Sequence, residues 1–307
     1  MMKQHLETFA FALALAAMGL GAAGCATIRQ ETFESPEKAM AAMGEVAKSG
    51  DRARAEAILG VPEADALDSG DEVADHRAQL HFLEMLDRKL TFEDRPDGVK
   101  IALIGDEAWP FSFPLVRDGD RWRFDGKAGL EELYSRRVGR NELFTIATLR
   151  AFVDAQREYF SQGRDGNPPA YARKFRSEPG RHDGLFWETG EGDPESLLGP
   201  LVAQAAVEGL KTQDGSTPYH GYHYRIIAAQ GKNAPGGERS YIDPQGLMTG
   251  GFAAIAWPAK YGNSGVMTFQ VNAQGIVFEK DLGEETPRIA EEMAVYDPDG
   301  TWTAAGD

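Results

Sequence analysis

Two histidines three residues apart, His220 and His223, are the nearest thing in this chain to a metal-ligand pair. A zinc site needs three or four donors in strict geometry, commonly two His on one helix face or Cys pairs at short spacing. Here the pair sits at the start of a predicted strand, where residues three apart point to opposite faces. The only other obvious donor group in this half is His182 with Asp183. Two hydrogen-bonded histidines at a strand entrance are therefore expected, with no metal and no cofactor.

Nucleophilic chemistry needs a Ser or Cys with a base in reach. Gly262-Asn263-Ser264-Gly265 is one residue short of a Gly-x-Ser-x-Gly elbow and reads as a loop. Glycoside hydrolysis needs two facing carboxylates, and the candidates are Asp154, Glu158, Asp183 and Glu188. Asp154 and Glu158, four apart on one predicted helix, equally mark its solvent side. The loop from Gln230 through Gly236-Gly237 is glycine-rich but lacks the Gly-Lys-Ser/Thr ending of a phosphate loop. Arg136, Arg137 and Arg140 form a basic spot that could grip a carboxylate or phosphate. Alternatively they pair with Glu131 and Glu132 or with the other domain.

Aromatic residues offer a different chemistry, that of binding. Trp187, Tyr219, His220, Tyr222, Trp257 and Tyr261 form a candidate binding surface, with Phe186 and Tyr224 nearby. Aromatic, glycine-rich loops at a sheet end can build a groove for a sugar, a peptide or a partner. The alternative is that these rings are core beneath a loop-rich sheet.

Cys25 is the one cysteine among 307 residues. It follows Lys3 and His5, an apolar run over 9–20, and Gly21-Ala22-Ala23-Gly24. Residues 1–24 read as a signal peptide: a short charged start, an apolar stretch too short to span a bilayer, and small residues at the cleavage site. The junction resembles a bacterial lipobox, which implies acylation of the Cys25 thiol and a lipid anchor carried by residues 25–33. Ala22 stands where Leu is commoner and Glu7 weakens the positive start, so an ordinary secretory signal is the alternative. Ala26 follows the cysteine in place of an Asp of the inner-membrane-retention type. The resemblance thus implies an outer-membrane lipoprotein facing the periplasm. With Cys25 acylated, no thiol remains for a disulfide.

Acidic residues outnumber basic ones by 48 to 32, a net charge of −16. Such a chain repels nucleic-acid backbones and anionic head groups, so no nucleic-acid partner is expected. The expected membrane contact is the lipid alone.

These side chains must be positioned by two α+β domains, 34–137 and 138–307. Ser35-Pro36 opens a first helix that Gly50 breaks. A second helix is predicted over 54–59 and a third over 72–90, with Leu80, Leu83, Met85 and Leu86 on or near its buried stripe. Strands follow over 99–104, 109–116 and 121–125. Helices followed by a turn-rich sheet ending in Trp122-Arg123-Phe124 resemble the nuclear-transport-factor-like cone, whose curved sheet often encloses a pocket. The second domain begins with a helix over 141–161, capped by Asn141. An irregular stretch follows, with one short helix near 200–210. Strands return over 222–229, 252–257, 265–272 and 276–280, with a hairpin turn at Asn272-Ala273-Gln274-Gly275. A long helix followed by an antiparallel sheet resembles the globular part of a type IV pilin, without the apolar stem.

Several separate segments agree, in order, with one family. They are Arg136-Arg137-Val138-Gly139-Arg140-Asn141-Glu142, Asp154-Ala155-Gln156-Arg157-Glu158-Tyr159 and Asp183-Gly184-Leu185-Phe186-Trp187. Pro218-Tyr219-His220-Gly221-Tyr222, Gln230-Gly231 with Ala234-Pro235-Gly236-Gly237, Ala256-Trp257-Pro258 with Tyr261-Gly262, and Asp281-Leu282-Gly283 follow. In these the chain resembles a bacterial envelope family, domain of unknown function 2950 (DUF2950). The resemblance implies a secreted or lipid-anchored protein and implies no activity. The function expected is a non-catalytic binding or assembly module with an envelope protein or glycan as partner. The alternative is a periplasmic hydrolase using the carboxylates near Asp183.

Overall fold

The computed structural model describes residues 30–61, 67–162, 168–187, 196–198 and 218–306. Cys25 and its signal segment, Glu188, and the short helix expected near 200–210 lie outside the described residues.

The N-terminal half forms where capping signals and apolar spacing agree. Helix α1 (Pro36–Ser49) starts at Ser35, whose hydroxyl accepts from the Lys38 N–H at 3.3 Å, and ends at Gly50 in the left-handed region. Helix α2 (Arg52–Leu59) begins two residues before its predicted start, because Asp51 is the cap and accepts from the Arg54 N–H at 3.0 Å. Helix α3 (Glu72–Arg88) is capped by Asp71. Met85 and Leu86 pack against the core and Leu83 is half-buried, but Leu80 is exposed.

Leu90 belongs to a strand rather than to α3. Strands β1 (Leu90–Asp94), β2 (Lys100–Ile104), β4 (Leu115–Asp118) and β5 (Arg121–Phe124) form an antiparallel sheet in that order, with β3 (Trp109–Pro110) beside β2. The single strand predicted over 109–116 is two. Pro110 and Pro114 have no N–H to extend a ladder, so the chain leaves the sheet between them. Met40, Ile58, Leu59, Ile104, Leu115 and Phe124 pack into one core between these helices and the sheet.

Helix α4 (Gly126–Gln162) starts fifteen residues before the position predicted for it. Asp125 caps it, accepting from the Ala128 N–H at 3.1 Å. Gly126 and Gly129 open the helix because it lies hard against its neighbours: a Cβ on Gly126 would meet the Gly60 carbonyl, and one on Gly129 the Phe113 ring. Those glycines interrupt the apolar period that marks a helix in sequence. Asn141 is therefore inside the helix and caps nothing.

In the C-terminal half, β6 (Tyr222–Ile227), β9 (Ala253–Pro258), β10 (Met267–Asn272), β11 (Val277–Asp281) and β12 (Thr303–Ala304) form an antiparallel sheet ordered β12-β11-β10-β9-β6. β7 (Ala229–Gln230) and β8 (Arg239–Ser240) make a separate two-stranded sheet. The predicted turn forms, with the Gly275 N–H donating to the Asn272 carbonyl at 2.9 Å. Register aligns Tyr224, Ala256 and Phe269 in one row and Arg225, Ile255 and Gln270 in the next. The first row faces α4, where the Tyr224 hydroxyl meets Thr145 at 3.1 Å. The second faces α5 (Thr286–Glu292), whose last turn receives hydrogen bonds from Arg225 to the Ala290 and Met293 carbonyls at 2.6 and 2.8 Å. Covered on both faces, β9 reads Ala-Ala-Ile-Ala-Trp-Pro and is buried throughout. Among the described residues the protein is thus a mixed α+β fold of five α-helices and antiparallel sheets, with no closed barrel.

Candidate functional site

Tyr219 and Tyr222 exchange backbone hydrogen bonds at 2.7 and 3.1 Å across a two-residue turn. Both turn residues, His220 (φ 48°) and Gly221 (φ 74°), are left-handed, as a primed hairpin turn requires. The turn separates the two histidines. His220 stacks on Phe144 with ring centroids 4.3 Å apart, while His223 lies against Trp257 at 5.5 Å. Among the described residues no three His, Cys, Asp or Glu side chains converge as a metal site would require.

Four of the six rings of the candidate binding surface are inside the protein. Trp187, Tyr219, Tyr222 and Trp257 are buried, and Tyr222 is 0% exposed. Its hydroxyl donates to the Met267 carbonyl at 3.0 Å and reaches Glu142 at 3.5 Å; Gly265 leaves room for it. Burial, reinforced by the Glu142 charge, pushes the Tyr222 phenol far above its ordinary pKa. Tyr222 packs against α4, whereas Trp257 lies on the opposite face of β9 beside His223 and Arg225, so these rings are interior and do not form the outer surface expected of them. Only His220 and Tyr261 are partly exposed, and the Tyr261 hydroxyl is engaged by Asp281 at 2.9 Å.

Among the described residues, the candidate hydrolytic carboxylates Asp154, Glu158 and Asp183 are each taken up by local partners. Asp154 pairs with Arg157 at 3.2 Å, and Glu158 accepts from Gln162 at 2.8 Å, both on the exposed face of α4. Asp183 is held by Lys174 and by the Glu178 N–H, each at 2.9 Å. Burial pushes its pKa up, but those donors outweigh burial and keep the carboxyl below its ordinary value. A general acid needs the opposite shift. The glycine loop is likewise occupied: Asp297 accepts from the Asn233 N–H and side-chain amide at 2.7 and 3.0 Å. Gln230 donates to the Pro235 and Gly237 carbonyls at 2.9 and 2.6 Å.

Two concave features adjoin α3 and the first turns of α4. Within the N-terminal half, the packing of α1, α2 and α3 on the sheet leaves a cavity of about 510 Å³. Its apolar walls include Met43, Leu59, Phe82, Phe111 and Phe113. Phe82, Phe111 and Phe113 run in a row at 5.4 and 5.8 Å. Polar and charged groups, among them Arg52, Asp68, Glu72 and His76, complete the lining. No motif marks this cavity in the sequence, because many of its walls are ordinary core residues. Spacing shows which residues face inward but not how far apart the elements stand.

The second feature is the junction of the halves. Arg137 is buried at 8% exposure and donates to the Asn263 side-chain carbonyl and, at 3.3 Å, to the Leu67 carbonyl. Burial lowers its pKa against the opposing pull of Asp75. Asn263 also donates to the Asp68 carbonyl at 2.9 Å, Lys260 pairs with Asp68 at 3.2 Å, and Asp71 accepts from the Gly221 N–H at 3.1 Å. Both structural alternatives for the basic spot occur: Arg136 pairs with Glu132 at 2.6 Å, and Arg137 reaches the other half.

The family model described as Protein of unknown function (DUF2950) matches residues 30–305. No curated protein and no solved structure matches the chain.

Proposed function

The chain belongs to the DUF2950 family, and from that premise we propose that it is a lipid-anchored envelope protein with a non-catalytic binding role. The observation that carries the binding role is the phenylalanine-walled cavity in the N-terminal half. A volume of about 510 Å³ suits a small ligand. Its mixed lining suits a molecule with an apolar body and a polar end. Among the described residues that line it there is no Ser or Cys nucleophile. On this reading the chain comprises two domains, 34–137 and 138–307. The first is a nuclear-transport-factor-like cone and the second has the shape of a pilin head. Cys25 anchors the protein in the outer membrane, facing the periplasm, where an envelope protein or glycan is its partner. No helix among the described residues is long and apolar enough to cross a membrane, which fits anchorage by lipid.

Nile red titrated into the detergent-solubilised chain tests the cavity. Bound dye should brighten, and Ala47→Trp, which fills the lining, should abolish the response while leaving the melting temperature near wild type. Undiminished dye binding in a folded Ala47→Trp protein would refute the cavity as the site. Fractionation of Cys25→Ala tests the anchor: the variant should leave the membrane fraction, and its retention there would refute lipidation.

A further inference from the structure

The cleft between the two halves has a charge opposite to that of the chain around it. It measures about 620 Å³ and is walled by the start of α3, by Trp109, Pro110 and Ser112, and by one face of α4. That face carries Leu133, Arg136, Arg137 and Arg140, whose three- and four-residue spacings align them along a helix. Three guanidinium groups therefore meet one lining carboxylate, Asp75, which already accepts from the Ser69 N–H at 2.9 Å. In a protein of net charge −16, so local an excess of positive charge needs a reason.

The arginines differ in what they already hold. Arg136 is clamped by Glu132 and by the Pro110 carbonyl, each at 2.6 Å. Arg137 hydrogen-bonds to two neutral oxygens, from Asn263 and Leu67. Arg140 is exposed and has no hydrogen bond or ion pair among the described residues. Trp109 is 52% exposed, and the Arg136 guanidinium lies 5.8 Å from its ring centre. The cleft thus joins an under-neutralised cationic wall to a flat apolar platform.

We propose that this cleft binds a small organic oxyanion, a carboxylate or phosphate carried on a single sugar ring. Arg140 and Arg137 meet the oxyanion, because guanidinium forks match carboxylate and phosphate oxygens. The ring lies on the Trp109 indole, and Ser112 and Asn141 offer hydrogen bonds to its hydroxyls. This site is separate from the phenylalanine-walled cavity, although Asp75, Ala78, Leu133 and Arg137 adjoin both.

Calorimetric titration of the detergent-solubilised full chain with galacturonate, glucose 6-phosphate, galactose and inorganic phosphate tests the proposal. Binding of at least one ring-bearing oxyanion is expected, at least about tenfold tighter than galactose or inorganic phosphate. The stronger of the two identifies the anion. Arg140→Gln, an exposed substitution that leaves the fold intact, should weaken that binding about tenfold. Trp109→Phe should remove the fluorescence change that accompanies it. Equal binding of galactose, equal binding of inorganic phosphate, unchanged affinity in Arg140→Gln, or no binding by either ring oxyanion would each overturn the assignment. Ala47→Trp should leave this titration unaltered, so failure here is distinguishable from failure of the apolar cavity.

Discussion

Asn141, in the middle of α4, donates from its side-chain amide to the Ser264 carbonyl at 2.8 Å, and both residues are buried. One turn earlier Arg137 meets Asn263, so two successive turns of one helix grip one loop of the C-terminal sheet. The turn residue Gly221 fits beneath the amide; a Cβ there would lie 2.5 Å from the Asn141 nitrogen and 3.0 Å from the Ser264 Cβ.

Gly221→Ala should accordingly combine left-handed strain with a clash and destabilise the protein by about 2–4 kcal/mol. Gly246→Ala has the strain alone, since φ is 84° and its Cβ would meet nothing within 4 Å. It should cost about 1–2 kcal/mol. Urea unfolding of both variants separates the contributions. Equal costs would show that the close approach is not tight.

The buried rings should behave as core. Trp257→Ala and Trp187→Ala are expected to cost about 3–5 kcal/mol each. Tyr261→Phe, which loses only the exposed hydrogen bond to Asp281, should cost about 1 kcal/mol or less. Thermal melts of the three variants rank them directly.

His220 should make stability depend on pH. Burial lowers its pKa below 6.5, outweighing the opposing pull of Asp71. The unfolded chain then binds the proton more readily than the folded one. The stabilising contribution is complete above pH 6.5 and declines as pH falls from there through the folded-state value. Asparagine tolerates the left-handed backbone, so His220→Asn should show a flatter stability profile between about pH 7 and 5. Parallel slopes for the two proteins would exclude His220 as the titrating group.

Asp297 should prove to be the anion of the glycine loop. Asp297→Ala strips two hydrogen bonds from Asn233 and should cost about 1–2 kcal/mol. Gly231→Ala should cost at least as much, because its Cβ would collide with the Asp297 carboxylate. Hydrogen exchange at Asn233 is the sharper measurement, and its amide should lose protection in Asp297→Ala.

Local signals were legible wherever they were self-contained. Ser35 and Gly50 bound α1 because capping needs only neighbouring residues, and Asn272 to Gly275 turn because the hairpin is local. The start of α4 was hidden by Gly126 and Gly129, whose presence answers to Gly60 and Phe113 rather than to helix formation. Trp187, Tyr219, Tyr222 and Trp257 were ambiguous for a related reason. Aromatic residues between glycine-rich segments have the same sequence pattern in a groove as in a core, and only the packing of whole elements and loops around them separates the two cases.

By itself the sequence determined the charge, the α+β alternation, the caps and turns, and the family to which the chain belongs. Each depends on residue type or on neighbours a few positions apart. Tertiary structure alone decided that Asp297 fills the glycine loop and that Arg137 reaches across to Asn263, pairings 64 and 126 residues apart. It also decided that the packing of α1 to α3 on the sheet leaves a cavity. Contacts at that separation depend on how whole elements pack, and packing distance leaves no mark in the spacing of residues along a chain.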